Sequence, residues 1–243
     1  MIYAGILAGG KGTRMGRTEL PKQFLSIGNK PILIHTLDQF VISNKVDHIV
    51  IATPENWKSY TEDIIKKYYP NSDTISIITG GSTRNETIMN ICKFIKENST
   101  DKENIVLTHD AVRPFITQRI IDDNIESIQS DDVDAVDTVI PAYDTIVEST
   151  SNENITNIPV RDYMYLGQTP QTFKVDELMK IYSSLTESEK DILTDAAKIY
   201  VLKDKKVKIV NGETFNMKIT TQYDLKLANA IVKIDRRNEA KND

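Results

Sequence analysis

This sequence of 243 residues contains one cysteine and three histidines, and its net charge is negative. The single cysteine, Cys92, excludes an intrachain disulfide, and its place in the apolar run INICKFI predicts a small core residue rather than a nucleophile. A formal net charge of −5 disfavours bulk nucleic-acid binding, which usually requires a basic surface. The apolar start MIYAGILAGG is short and lacks a charged flank, so we expect neither a signal peptide nor a membrane span there. These absences favour a cytoplasmic protein without a nucleic-acid or membrane partner.

The length and the apolar content, 40% of residues, are sufficient for a buried core without disulfides. We expect a single domain over residues 1–236 and a flexible tail at 237–243. Strands are predicted at 2–7, 48–53, 74–79 and 105–109, and helices near 31–43, 55–69, 84–97 and 117–129. Repeated strand–helix units of this kind predict an α/β fold with a mostly parallel sheet flanked by helices.

The pattern changes near residue 133. VDAVDTVIPAYDTIVEST is rich in strand-forming residues, and STSNENITN predicts a polar turn or hairpin tip, so we expect a β-rich arm at about 140–165. Beyond the arm, helices are predicted at 175–185 and 186–200, a strand at 206–210 and a closing helix at 221–236. Thr186 and Glu189 have the spacing of a capping box at the start of the second of these helices.

The strongest chemical signal is the glycine-rich sequence LAGGKGTRMG, which follows the first predicted strand and precedes LPKQF. Glycines allow backbone N–H groups to approach an anion closely. Four basic residues lie in this stretch, and only Glu19 opposes them: Lys11, Arg14, Arg17 and Lys22. Positive charge concentrated in one place of an acidic chain suits a triphosphate.

Two common nucleotide-binding motifs are absent. The dinucleotide pattern G-x-G-x-x-G fails because Met15 stands where the third glycine belongs, which disfavours a dinucleotide oxidoreductase. The P-loop pattern G-x-x-x-x-G-K-[ST] does not occur, which disfavours P-loop hydrolysis.

Four ordered blocks extend over nearly the whole chain: LAGGKGTRMG with PKQF, GGSTRNET, THDAVRPF and GQTPQTF. Together they resemble the cytidylyltransferases of the Rossmann-like nucleotide-diphospho-sugar transferase fold. Two branches of this family are close, one acting on methylerythritol phosphate and the other on ribitol 5-phosphate. The segments THDAVRPFIT, PVRDYMYLGQTPQ and NMKITTQYDLKLAN are most similar to the ribitol branch. Phe215 stands before Asn216-Met217-Lys218, where the methylerythritol branch is expected to carry an acidic residue, and this departure also favours ribitol.

The resemblance implies transfer of the cytidylyl group from CTP to D-ribitol 5-phosphate, giving CDP-ribitol and pyrophosphate for teichoic acid or capsule synthesis. Transfer to methylerythritol phosphate in isoprenoid synthesis is the alternative within the family. A non-catalytic nucleotide-binding module on the same fold is a further alternative. It is disfavoured because the cations and the aspartate expected of catalytic family members are all present. The resemblance also implies Mg²⁺ as a cofactor and a homodimer formed through the arm, with a site completed across the two subunits.

The resemblance assigns roles to individual residues. Arg14 and Lys22 would neutralise the triphosphate and stabilise the transition state, whereas Arg161 and Lys218 would hold the phosphate of the second substrate. The residues implied in nucleotide binding are Leu7, Ala8, Gly9, Gly10, Gly81, Ser82, Thr83, Arg84, Asn85, Glu86 and Thr87, with Ser82 and Thr87 near the base. Since GGSTRNET opens a predicted helix, free N–H groups at its start would face an anion or a polar edge.

Asp110 follows the predicted strand at 105–109, and ligands gather at the carboxyl ends of strands in open α/β sheets. Its carboxylate suits Mg²⁺, which binds through few carboxylates together with phosphates, although an aspartate that caps the next turn is an alternative. For His109 we expect packing or hydrogen bonding rather than catalysis, and for Arg113 a bracing role beside Pro114. Thr145, in the arm, is a further candidate for the second-substrate site.

Overall fold

The computed structural model of the protein describes residues 1–9, 20–130 and 132–239. The strands in these residues are β1 (Ile2–Leu7), β2 (Ser26–Ile27), β3 (Lys30–Pro31), β4 (His48–Thr53), β5 (Ile75–Thr79), β6 (Ile105–Asp110), β7 (Ala135–Pro141), β8 (Tyr165–Lys174) and β9 (Val207–Asn211). The helices are α1 (Ile32–Val41), α2 (Lys58–Tyr68), α3 (Arg84–Asn98), α4 (Gln118–Ile128), α5 (Val175–Ser183), α6 (Glu187–Asp191), α7 (Ala197–Val201) and α8 (Gln222–Glu239). Short 3-10 helices lie at Lys22–Phe24, Glu55–Trp57 and Arg161–Tyr163.

Seven of these strands form one sheet in the order β5-β4-β1-β6-β8-β7-β9. Its neighbouring strands run parallel except around β8, which is antiparallel to both β6 and β7. Leu7 pairs with Ala52 and with Asp110, so β1, β4 and β6 end at the same edge of the sheet. Ligands of open α/β sheets bind at this edge. The other two strands, β2 and β3, form a small antiparallel hairpin.

Apolar side chains cover both faces of the sheet. Tyr3, Val106 and Phe173 belong to a buried cluster that includes residues of α3, α5 and α7. Ile6 and Ile51 belong to a second cluster that includes residues of α1, α2 and α4. Because strands buried on both faces read as continuous apolar runs, β1, β4 and β6 are recognisable in the sequence. The predicted α/β fold with a mostly parallel sheet is confirmed.

The prediction was less accurate in the second half of the chain. The expected single helix at 186–200 is wrong, because α6 ends at Asp191 and α7 begins only at Ala197. The capping box of Thr186 and Glu189 is present at the start of α6. The closing helix α8 continues to Glu239, past its expected end at 236.

The strand β8 was not predicted, although it lies inside the sheet between β6 and β7. Between β7 and β8 the chain leaves the sheet at residues 142–164, a segment that we call the arm. The arm contains one isolated antiparallel bridge, between Glu148 and Asn157, and the 3-10 helix at Arg161–Tyr163. Among the described helices of the whole chain, none has both the length and the apolar content needed to cross a bilayer.

Candidate active site

A cavity opens at the edge of the sheet where β1 and β6 end. The start of α3 and the 3-10 helix at Lys22–Phe24 contribute to its walls, and the segment before α8 contributes Lys218. The described lining residues are Leu7, Ala8, Gly9, Lys22, Gln23, Gly81, Ser82, Thr83, Arg84, Thr87, Asp110, Ala111, Val112 and Lys218. Three of the four sequence blocks therefore meet around one cavity.

Asp110 is the one acidic side chain in the described lining, and three cations contact it. Arg84 Nη1 lies 3.0 Å from Asp110 Oδ1. Lys218 Nζ lies 3.0 Å and Arg113 Nε 3.3 Å from Asp110 Oδ2. These cations come from the first residue of α3, the segment before α8 and the turn after β6, so one carboxylate connects three parts of the chain.

The three cations determine the charge state of Asp110. Burial alone would raise its pKa, because a carboxylate loses its hydration in the protein interior. The positive charges of Arg84, Lys218 and Arg113 outweigh burial and hold the pKa of Asp110 well below its usual range. The described lining therefore carries one anion against the cations Lys22, Arg84 and Lys218, and this positive balance suits a polyphosphate.

The His109 ring lies between the carbonyl oxygen of Arg113 and the hydroxyl of Thr169 and is not available as a base. Its Nε2 lies 3.1 Å from the carbonyl oxygen of Arg113, which can only accept, so Nε2 carries the proton. Its Nδ1 then accepts from the Thr169 hydroxyl at 3.0 Å, and the Thr169 oxygen accepts from the N–H of Asp110 at 3.2 Å. Burial lowers the pKa of His109 to about 4, so the ring is neutral at pH 7. The expectation of a packed, hydrogen-bonded His109 is confirmed.

Lys218 lies on an irregular segment that buried polar contacts hold against β8. Asn216 Nδ2 donates to Gln168 Oε1 at 3.2 Å and to the carbonyl oxygen of Thr169 at 3.0 Å. Arg113 Nη1 donates to the carbonyl oxygen of Asn216 at 2.8 Å, which confirms the bracing role expected for Arg113. Since these groups are buried, their hydrogen bonds fix the chain two residues before Lys218. The GQTPQTF block thus supports the cavity without lining it.

Hydrogen bonds within the loop before α3 close the start of this helix. Glu86 Oε2 accepts from the N–H of Ser82 at 2.8 Å, from the N–H of Thr83 at 3.4 Å and from the Ser82 hydroxyl. Thr83 Oγ1 accepts from the N–H of Glu86 at 3.1 Å, which completes a capping box. Gly81 N–H donates to Thr87 Oγ1 at 3.0 Å. The expectation of free N–H groups at this helix end is therefore wrong for these four N–H groups.

Two neighbouring residues connect the PKQF block to the end of β1. Lys22 lines the cavity although only 8% of its surface is exposed. Gln23 is buried and its Nε2 donates to the carbonyl oxygen of Ala8 at 2.6 Å. Sequence reasoning did not single out Gln23, whose only signal was its place in this block. Gly10 and Arg14, both predicted site residues, lie outside the described residues.

Some predicted site residues do not line the cavity of the described chain. Asn85 and Glu86 lie outside the lining, in the first turn of α3. Arg161 lies on the arm, where its side chain is 56% exposed and its Nη1 donates to the carbonyl oxygen of Tyr143 at 3.4 Å. Thr145 lies on the same arm. The structure therefore brings Lys22, Lys218 and Asp110 together and leaves Arg161 apart from them.

A divalent metal ion would find one carboxylate in the described lining of the cavity. Within the described residues, no group of three or more His, Cys, Asp or Glu side chains could hold a metal ion. Asp110 is ionised and faces the cavity, which fits Mg²⁺, since this ion takes one or two carboxylates and completes its shell with phosphates and water. Arg84 and Lys218 contact the two oxygens of Asp110, so a metal ion there would share this carboxylate with them.

Known proteins with this fold are similar over nearly the whole chain. The family model described as "IspD: 2-C-methyl-D-erythritol 4-phosphate cytidylyltransferase" matches residues 2–234. The structure of 4-diphosphocytidyl-2C-methyl-D-erythritol synthase from Anaerococcus prevotii is 29% identical, with a TM-score of 0.78 and coverage of 96% of each chain. The 2-C-methyl-D-erythritol 4-phosphate cytidylyltransferase of Francisella tularensis is 30% identical, with a TM-score of 0.76 and coverage of 94% of this chain and 98% of that one. The cavity and this similarity lead to one conclusion: the chain belongs to the IspD family and is a cytidylyltransferase.

Proposed function

We propose that this protein transfers the cytidylyl group from CTP to D-ribitol 5-phosphate, forming CDP-ribitol and pyrophosphate for teichoic acid or capsule synthesis. The observation that carries the choice of acceptor is Phe215, which stands beside Asn216 and Lys218 where the methylerythritol branch is expected to have an acidic residue. Phe215 is 47% exposed and immediately precedes the buried Asn216. An acidic side chain there could accept hydrogen bonds from hydroxyl groups of a substrate, and a phenyl ring cannot.

The reaction requires charge stabilisation and positioning more than proton transfer. An oxygen of the acceptor phosphate attacks the α-phosphorus of CTP, and the bond from this phosphorus to the pyrophosphate oxygen breaks. The attacking phosphate is already an anion at neutral pH, so no general base is needed. This agrees with a site in which His109 is neutral and has both ring nitrogens in hydrogen bonds. The barrier then depends on fixed cations and on alignment of the reacting atoms.

The cations divide between the two substrates in this proposal. Lys22 and Arg14 neutralise the triphosphate and the charge that develops on the leaving pyrophosphate. Lys218 and Arg161 hold the acceptor phosphate and direct its oxygen at the α-phosphorus. Asp110 keeps Lys218 at the cavity before the acceptor binds, since the two groups are in contact at 3.0 Å.

We assign Mg²⁺ to Asp110 as part of the same proposal. The bound ion would neutralise charge on the phosphates of CTP, and Asp110 would be its protein ligand. The pairing of Asp110 with three cations keeps its carboxylate ionised and oriented toward the cavity. Arg84 would remain as a neighbouring cation at the start of α3.

We also propose a homodimer in which the arm of one subunit completes the cavity of the other. Six large apolar side chains of the arm are each at least half exposed: Tyr143, Val147, Ile155, Ile158, Val160 and Tyr163. Several exposed apolar side chains on one segment are typical of interaction surfaces, and a second copy of the chain is the commonest partner. The exposure of Arg161 on the same arm supports a role at the partner's cavity. The cytoplasmic location stays a prediction of the sequence.

A second candidate is transfer to 2-C-methyl-D-erythritol 4-phosphate. The names of the similar structures and of the family model favour it. The decisive experiment incubates one protein preparation with CTP, Mg²⁺ and each acceptor phosphate in turn, and follows pyrophosphate release. We expect a higher kcat/KM for ribitol 5-phosphate. A preference for methylerythritol phosphate would overturn the choice of acceptor and leave cytidylyl transfer intact.

A further inference from the structure

Arg119, on the surface of α4, contacts the chain at the point where it leaves the sheet after β9. Its Nη1 and Nη2 each donate to the carbonyl oxygen of Asn211, the last residue of β9, at 3.0 Å. Nη2 also lies 2.6 Å from Glu213 Oε1, and Nη1 lies 2.7 Å from Asp123 Oδ2, one turn further along α4. One guanidinium group therefore holds a backbone carbonyl and a carboxylate of the same short loop against α4.

This loop continues directly into the contacts that fix Lys218. Gln168 Nε2 donates to the carbonyl oxygen of Glu213 at 2.8 Å, and the N–H of Glu213 donates to Gln168 Oε1 at 3.3 Å. The same Gln168 oxygen accepts from Asn216 Nδ2, two residues before Lys218. Glu213 thus takes part in both sets of contacts: its carboxylate contacts Arg119, and its backbone pairs with the side chain that anchors Asn216.

Gly212 brings the loop into direct contact with the sheet. A Cβ at residue 212 would overlap Gln168 Oε1 and approach Thr138 Cγ2 to 3.1 Å, so this position has no room for a side chain. The N–H of Gly212 donates to the carbonyl oxygen of Val139 at 2.8 Å. Because closely packed groups transmit a displacement instead of absorbing it, a shift at Glu213 would also move Gln168.

We propose that Arg119 is a positioning residue for Lys218, because it holds Asn211 and Glu213 against α4 and thereby fixes the segment that presents Lys218 to the acceptor phosphate. This inference rests on the proposed function, in which Lys218 directs the attacking oxygen. Arg119 lies outside the described cavity lining, so it acts through Gln168 and the segment after Glu213. The walls assigned to CTP belong to other elements, and binding of CTP alone should not depend on Arg119.

The geometry of the contact requires an arginine. A guanidinium group presents several N–H groups in one fixed plane and can donate to a carbonyl oxygen and a carboxylate together, whereas a lysine ammonium is a point charge on a flexible chain. The Arg119 side chain is 43% exposed, and exposed ion pairs contribute little to global stability. Loss of Arg119 should therefore change the local position of the loop and leave the stability of the whole protein nearly unchanged.

The first test compares Arg119→Ala and Arg119→Lys with the unmodified protein. We expect both variants to have a kcat/KM for ribitol 5-phosphate lower by about tenfold, since a distant substitution that misplaces a reacting group slightly has effects of this order. Calorimetric CTP binding without acceptor and the midpoint of thermal unfolding should stay unchanged. The matched control is Lys45→Ala, which removes a cation that pairs with Asp122 and Glu126 of the same helix, and it should behave as the unmodified protein.

A comparison of double variants tests whether Arg119 acts through Lys218. Substitutions that act through one network are not additive, whereas those at independent sites are. Arg119→Ala should therefore lower kcat/KM by less than about twofold when Lys218 is already alanine. Losses of equal size in the two backgrounds would overturn the inference, and so would full activity of Arg119→Lys, because charge alone would then be sufficient.

Hydrogen exchange of the protein without substrates gives a result that does not require turnover. The N–H groups of Asn216 and Ile219 donate to the carbonyl oxygens of Glu213 and Val112 at 2.9 Å each, so their exchange rates report local opening of this segment. We expect faster exchange at both amides in Arg119→Ala and unchanged exchange at the start of α3. Unchanged exchange over residues 212–219 would overturn the role of Arg119, whereas absence of cytidylyl transfer by the unmodified protein would overturn the proposed function.

Discussion

Lys218 Nζ lies 3.0 Å from Asp110 Oδ2, so a cation close to the last helix is held at the end of a central strand. The contact depends on the segment that precedes Lys218, which Arg113, Gln168 and Thr169 hold through Asn216. A fixed cation is more effective than a mobile one, because no reorganisation is required when charge develops. The packing around β8 therefore helps to fix the position of a cation in the cavity.

Replacement of Lys218 by alanine should impair use of the acceptor phosphate more than binding of CTP. We expect a raised KM for ribitol 5-phosphate and a kcat lower by about a hundredfold, the cost of misplacing a nucleophile by about an ångström. Steady-state kinetics and calorimetric CTP binding without acceptor measure the two effects. Lys208→Ala, which removes an exposed lysine of β9, is the control and should behave as the unmodified protein. Loss of CTP binding in Lys218→Ala would place this cation on the nucleotide instead.

Asp110 should make stability dependent on pH in the acidic range. Its pKa is lowered in the folded protein, so its contribution to the free energy of unfolding is fully present above the ordinary aspartate pKa of about 3.9. That contribution is lost as the pH falls below this value toward the lowered pKa of the folded state. The free energies of unfolding in urea of the unmodified protein and of Asp110→Asn should differ most above about pH 5, and the difference should shrink steadily as the pH falls below about 4. A constant difference over this range would contradict the prediction.

The sequence predicts the first half of the fold well because β1, β4 and β6 are buried on both faces and appear as uninterrupted apolar runs. It misses β8 because Gly167 and Pro170 interrupt the strand and its buried side chains include Gln168, Thr169 and Gln171. These polar groups form hydrogen bonds with partners distant in sequence, such as Asn216 and Asp137. No local pattern can reveal such partners.

The contacts within the candidate site could not be predicted for the same reason, since they join residues distant in sequence. Motif resemblance identifies Asp110, Lys218 and Arg84 separately, and their spacing in sequence gives no sign that all three are in contact. The contact follows from two facts of the fold, the pairing of β1 with β6 and the return of the chain from β9 across β8. The side-chain hydrogen bonds of Glu86 could be anticipated, because a Thr-x-x-Glu sequence at a helix start predicts a capping box.

Lys22→Ala should lower turnover more than it weakens CTP binding. Lys22 lines the cavity, and we assign it to charge that develops as pyrophosphate leaves. Loss of one preorganised contact of this kind typically costs on the order of 3 kcal/mol of transition-state stabilisation, a rate lower by about a hundredfold or more. Pyrophosphate release measured with saturating substrates tests this effect. Turnover close to that of the unmodified protein would remove Lys22 from the catalytic set.

Gly81→Ala should abolish CTP binding without unfolding the protein. A Cβ at residue 81 would approach the carbonyl carbon of Glu86 and the nitrogen of Thr87 to 2.8 Å each, and these backbone atoms cannot move without displacing the start of α3. Gly167→Ala is the matched control, because a Cβ there meets nothing within 4 Å. We expect circular dichroism to be unchanged in both variants and calorimetric CTP binding to be lost only in the first. Normal CTP binding by Gly81→Ala would show that this loop does not contact the nucleotide.

The arm provides a test of whether Arg161 acts in the cavity of the partner. Lys22→Ala and Arg161→Ala should each be nearly inactive alone. If Arg161 serves the partner's cavity, a mixed dimer has one cavity that lacks both residues and one that keeps both. Random mixing after subunit exchange makes half of the dimers mixed, so about a quarter of all cavities become intact.

We therefore expect equal amounts of Lys22→Ala and Arg161→Ala, mixed and allowed to exchange subunits, to recover about a quarter of the activity of the unmodified protein. The physical reason is that Arg161 is exposed on the arm of its own chain and lies outside the cavity lining that contains Lys22 and Lys218, so our proposal places it at the cavity of another subunit. The double variant mixed with itself is the control and should stay inactive. Absence of recovery in a mixture shown by native mass spectrometry to contain mixed dimers would mean that Arg161 serves its own chain.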